Sequence, residues 1–67
     1  MARHSPEHPA AACKRLERDG WQRRAGRGDH VNYNKRGQAV VITVDMGMKE
    51  IPIGTLRSIY RKAGWPW

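Results

Sequence analysis

Histidine is the side chain here best suited to moving protons at neutral pH, and the chain has three: His4, His8 and His30. His4 and His8 sit among prolines at the N-terminus. They read as tail residues and lack the thiol or carboxylate partners of a closed metal site. His30 differs. It follows the glycine-rich run Ala25-Gly26-Arg27-Gly28-Asp29 and begins the alternating segment His30-Val31-Asn32-Tyr33-Asn34. If Val31 and Tyr33 face a core, His30 must face away from it. Around it in sequence lie Arg23, Arg24, Arg27, Lys35 and Arg36, which suit phosphate oxygens, and Lys49 lies further on. An outward imidazole among such cations would meet whatever phosphate they hold. RNA is the polyanion such a site cuts without a metal, because its own 2′-OH is the nucleophile. The protein then has only to move protons and stabilise the charged intermediate. Tyr33, Lys35 and Lys49 are the candidates for a second proton-transfer group.

The rest of the chain has to position that histidine. Ala12, Cys13 and Leu16 form the apolar side of a short helix that starts between Ser5 and Pro9, with proline in its early turn and Gly20 at its end. The first eight residues are expected to fray. Trp21–Arg24 reads as an edge strand, His30–Asn34 as a second strand and Lys35–Gln38 as a hairpin turn. The β-branched run Ala39–Val44 reads as a third strand. Leu56, Ile59, Tyr60 and Ala63 recur at helical spacing. Gly54-Thr55 is expected at that helix's N-cap, and Gly64 follows its end. The expected fold is α+β, in the order α-β-β-β-α: an antiparallel three-stranded sheet with two helices on one face.

Composition narrows the function. A formal charge of +7 on 67 residues, from 13 Lys+Arg against 6 Asp+Glu, points to a polyanionic partner, nucleic acid first. The length allows one domain, residues 1–67, and leaves no room for a dinucleotide fold. A single cysteine excludes an internal disulfide and a cysteine-based zinc site, and suits a cytoplasmic setting. No apolar run long enough for a signal peptide or a membrane span is present, so no membrane partner is expected. Met46 and Met48, with Trp65 and Trp67 beside Pro66, either pack back on the core or form a protein-binding patch.

Several stretches together resemble the HicA toxin family. They are Leu16-Glu17-Arg18-Asp19-Gly20-Trp21, Gly28-Asp29-His30, the strand Val40–Val44, and Ile51-Pro52-Ile53-Gly54-Thr55-Leu56-Arg57-Ser58-Ile59 through Lys62-Ala63-Gly64. The resemblance covers roughly residues 9 to 65. It implies a fold like that of a double-stranded-RNA-binding domain. It also implies a cofactor-free, mRNA-cleaving ribonuclease with one catalytic histidine, neutralised by a HicB-type antitoxin. By position that histidine is His30, with Gly28 and Asp29 shaping its loop. Asp29 stands where serine is common in the family. A carboxylate close to the imidazole would favour its protonated form and repel phosphate. Met46-Gly47-Met48 occupies a stretch where relatives often carry proline and histidine. A non-catalytic module for double-stranded RNA would use the same fold and charge without needing the histidine.

Overall fold

The computed structural model describes residues 5–67, so His4 lies outside the described residues. Helix α1 spans Pro9–Arg18. Pro9 takes its first position, where a missing N–H costs nothing, and the Nδ1 of His8 accepts the Ala10 N–H at 3.1 Å. His8 is therefore the N-cap of α1. At the other end the Trp21 N–H reaches the Leu16 carbonyl at 3.0 Å and the Gly20 N–H reaches Glu17 at 3.1 Å. These two bonds close a Schellman turn, which requires the left-handed φ of +95° at Gly20.

Because the cap uses the Trp21 N–H, strand β1 begins one residue later than expected and spans Gln22–Ala25. Strand β2 covers His30–Asn34, as the alternation predicts, and β3 covers Ile42–Asp45. All pairings are antiparallel, in the order β1-β2-β3. The expected start of β3 at Ala39 is corrected to Ile42. The register pairs Tyr33 with Ile42, and a turn closed by the Gln38 N–H to the Lys35 carbonyl consumes the next residues. Ala39, Val40 and Val41 are left exposed with no strand opposite them.

Helix α2 spans Ile53–Ala63, which corrects the expected N-cap at Gly54-Thr55. Pro52, with φ −58° and ψ 152°, is the residue before the helix, and its carbonyl accepts the Leu56 N–H at 2.8 Å. Gly64 ends α2 in the left-handed region, as expected.

Both helices pack on one face of the sheet. Ala12, Cys13 and Leu16 from α1 meet Leu56, Ile59 and Tyr60 from α2 over Trp21, Tyr33, Ile42, Val44 and Ile51. Burying these side chains is the main source of stability in so small a domain. Where fraying was expected, Glu7 bridges Ile51 and its carboxylate accepts the Tyr60 hydroxyl at 2.7 Å. The C-terminal tryptophans fold back: Trp65 and Trp67 meet Tyr60 edge-on at 5.2 and 5.1 Å. Met46 is half-buried with its sulfur 3.4 Å from the Cys13 thiol, while Met48 stays exposed. No helix among the described residues is long and apolar enough to cross a membrane.

Candidate active site

The parity of β2 decides what its residues can do. Val31 and Tyr33 turn inward, and Tyr33 is wholly buried. His30, Asn32 and Asn34 therefore share the outer face, which no helix covers. Residues opposite one another in an antiparallel pair share a face. The register sets Arg24 beside Asn32 and Thr43, and His30 beside Asp45. The outer face is polar throughout: Thr43 donates to Asn32 Oδ1 at 2.7 Å, and Arg24 donates to Gln22 at 3.2 Å.

At the edge of this face the His30 Nε2 lies 3.6 Å from Asp45 Oδ2, with the two side chains 51% and 38% exposed. This pair is open to solvent and to a ligand. Asp45 was not among the sequence candidates. Its signal was available only through register, because the strand opposite β2 ends on a carboxylate directly across from the histidine.

The loop between β1 and β2 is built to deliver His30 there. The His30 N–H donates to the Arg27 carbonyl at 2.8 Å, closing a turn in which Gly28 takes φ +54°. Gly28 supplies the positive φ of the turn, and Asp29 ties the loop to Met46. Gly26 is a third such residue, and nothing in its sequence context singles it out. A Cβ on Gly26 would stand 2.5 Å from the His30 carbonyl oxygen and 2.9 Å from its carbon, inside contact distance with backbone that cannot swing aside. Asp29 does not form an ion pair with His30. Its backbone carbonyl accepts the Met46 N–H at 2.8 Å, and its carboxylate lies against Gly47, where a Cβ would come within 2.7 Å of it.

The cations divide into two groups. Arg23 and Arg24 line a shallow depression of about 380 Å³ together with Ala25, Gly26, Gly28, His30 and Val31. Arg27 is exposed in the same loop, and Lys49 in the turn segment that follows Asp45. Lys35 and Arg36 are not brought to His30. They follow the far end of β2, roughly 13 Å away along the strand, and the Lys35 ammonium lies 3.5 Å from Asp19 and 5.8 Å from the Trp21 ring centre.

Two candidates for a second proton-transfer group are thereby displaced. Lys35 is at the wrong end. Tyr33 points into the core, donates its hydroxyl to Glu17 Oε2 at 2.6 Å, and has its ionisation pushed far up, mainly by burial. Lys49 remains on the exposed side. Among the described residues no group of three or more His, Cys, Asp or Glu is placed to hold a metal.

These features define a small α-β-β-β-α domain that offers an exposed histidine, paired with a carboxylate, on the open polar face of its sheet beside an arginine-lined depression. The sequence profile of the HicA toxin of bacterial toxin–antitoxin systems matches residues 10–65, and the chain belongs to that family. No curated protein matches the sequence.

Proposed function

We propose that the chain is the toxin of a toxin–antitoxin pair, a metal-independent endoribonuclease that cleaves mRNA in the cytoplasm with His30 as its one catalytic histidine. A HicB-type antitoxin would neutralise it by covering the His30 face. The observation that carries this reading is the exposed His30–Asp45 pair at 3.6 Å beside a depression lined by Arg23 and Arg24.

In this mechanism Arg24 and Arg27 hold the phosphates that flank the cut, Arg23 reaches the same depression from the other side of the edge strand, and Lys49 assists. His30 takes the proton from a ribose 2′-OH. The 2′-oxygen attacks phosphorus, the bond from phosphorus to the 5′-oxygen breaks, and a 2′,3′-cyclic phosphate forms. The proton that His30 gained returns to the departing 5′-oxygen, so one imidazole serves both transfers. Asp45, 3.6 Å from Nε2, stabilises by its charge the imidazolium that forms between the two transfers.

The test is cleavage of labelled single-stranded RNA in excess chelator. The parent should give products ending in 2′,3′-cyclic phosphate. His30→Ala should lose about 10²–10⁴-fold in rate, the usual worth of a general acid–base group, and should keep its melting temperature because the side chain is exposed. A folded His30→Ala that cuts RNA and arrests growth as fast as the parent would falsify the assignment. Intact RNA combined with tight duplex binding by the parent would select the non-catalytic double-stranded-RNA-binding module instead.

A further inference from the structure

The displacement of Lys35 and Arg36 from His30 raises the question of what they stand beside. Lys35 reaches Asp19, which is one of the residues lining a groove of about 650 Å³ between the outer side of α1 and the C-terminal segment, with Ala11, Lys14, Arg15, Arg18 and Trp65. Several of these residues are already committed. The Arg15 guanidinium lies 4.9 Å over the Tyr60 ring and 4.4 Å over Trp65, and donates to the Tyr60 hydroxyl at 2.8 Å. Asp19 accepts the indole N–H of Trp65 at 3.1 Å and of Trp21 at 3.2 Å, with Lys35 at 3.5 Å. Those bonds, the Trp65 indole first, hold its carboxyl below the usual range and keep it ionised.

Lys14 and Arg18 are different. They stand one helical turn apart on the exposed side of α1, and the ion pairs found among the described residues, His30–Asp45 and Lys35–Asp19, involve neither. The groove thus presents two unpaired cations, with Lys35 beside its Asp19 end.

We propose that this groove is a second, remote RNA subsite, in which Lys14 and Arg18 hold phosphates of the strand beyond the cut. The proposal rests on the ribonuclease reading of the His30 face. A polyanion suits the groove better than an acidic protein segment does. Protein docking draws on a desolvated apolar centre, and the one large apolar group here, Trp65, already has Arg15 over its ring and Tyr60 at its edge. A phosphate chain needs only unpaired cations. The groove and His30 lie at opposite ends of β1, one in the helix layer and one on the open sheet face. A strand must therefore run past the sheet edge to occupy both, and Arg23, exposed on β1, lies on that path.

The test compares Lys14→Gln/Arg18→Gln with a charge-matched control on α2, Arg57→Gln/Lys62→Gln. The substrate is a labelled single strand of roughly 20 nucleotides, longer than the usual footprint of a small single-strand-binding domain. Each lost phosphate contact lowers the salt slope of binding by about 0.7, and losing two weakens binding about tenfold at physiological ionic strength. The groove variant should raise KM about tenfold, leave kcat unchanged, and flatten the salt dependence by about 1.4 in slope; the control should do none of these. An unchanged KM overturns the proposal and leaves the groove to an acidic protein partner. An equal rise in the control also overturns it, since the effect is then one of net charge. If the parent does not cut RNA at all, the ribonuclease reading fails separately. The Kd for the same strand then decides the subsite, a tenfold loss in the groove variant alone sustaining it and an equal Kd ending it.

Discussion

Three glycines in this chain respond to an added methyl group in three different ways, and replacing each by alanine tests whether the loop before His30 is built as described. At Gly26 the new Cβ would sit 2.5 Å from the His30 carbonyl oxygen and 2.9 Å from its carbon. Both are backbone atoms, so no side-chain rotation relieves the overlap. Either the loop moves or the β1–β2 pairing opens. Overpacking of this kind costs about 1–3 kcal/mol, and contact with backbone places Gly26→Ala at the upper end, about 3 kcal/mol. For a domain of this size each kcal/mol shifts the melting temperature by roughly 4–8 °C, so the expected fall is about 12–24 °C.

At Gly28 nothing lies within 4 Å of a Cβ, but φ is +54°. An L-residue there costs about 1–2 kcal/mol, partly offset by the entropy it removes from the unfolded chain. Gly28→Ala should lose about 1 kcal/mol, or roughly 4–8 °C. Gly54 has open space and ordinary helical backbone in the first turn of α2. Gly54→Ala should therefore gain about 0.5 kcal/mol, or roughly 2–4 °C. Thermal and urea unfolding followed by circular dichroism measure all three. Cleavage by Gly26→Ala should fall more than its stability explains, because the methyl group displaces His30 itself. A Gly26→Ala protein that melts within a few degrees of the parent, or above Gly28→Ala, would show that the loop does not approach the His30 backbone as described.

Asp45→Asn removes the charge 3.6 Å from His30 on an exposed pair. Cleavage should slow by up to about 10²-fold, the cost of a misplaced catalytic group, with melting unchanged; a full cleavage rate would remove Asp45 from the site. Tyr33→Phe deletes the part-buried 2.6 Å bond from the Tyr33 hydroxyl to the exposed Glu17 carboxylate. Stability should fall by about 1–2 kcal/mol while kcat holds, and a large loss of kcat in a stably folded variant would return Tyr33 to the reaction. Both tyrosines of the chain have raised ionisation, Tyr33 mainly through burial and Tyr60 through burial and then the Glu7 carboxylate. A raised folded value means stability that is present below about pH 10, the ordinary tyrosine value, and lost as pH rises through the folded one. Phenolate absorbance should therefore appear only above the ordinary tyrosine range; phenolate forming at about pH 10 in a protein with native dichroism would contradict the burial.

The fold was readable where periodicity and end signals agree. The alternation of His30–Asn34 gave β2 with its outward histidine, and the spacing of Leu56, Ile59 and Tyr60 gave the buried side of α2. The run Ala39–Val44 carries no alternation, so its composition said strand without saying where pairing begins. The Lys35–Gln38 turn and the Tyr33–Ile42 register settle that at Ile42. For the candidate site, the outward placement of His30 and its nearness to the arginines of the preceding strand and loop followed from alternation and chain proximity. Lys35 and Arg36 were misplaced because nearness in sequence across a strand is distance in space. Asp45 was missed for the converse reason: fifteen positions separate it from His30 along the chain, yet the register sets them face to face.

That register is itself held by a buried contact, which ties the site to the core. A slip of one residue in β2 would turn every side chain over, bringing His30 inward and Val31 and Tyr33 out to solvent. Tyr33 resists this on two counts. Its ring fills the space between the sheet and the helices with no exposed surface, and its hydroxyl is fixed to Glu17 on α1. The same contact that keeps Tyr33 in the core therefore keeps His30 on the open face. Tyr33→Ala should accordingly harm the His30 site as well as stability. Tyr33→Phe, which keeps the ring, should spare the site.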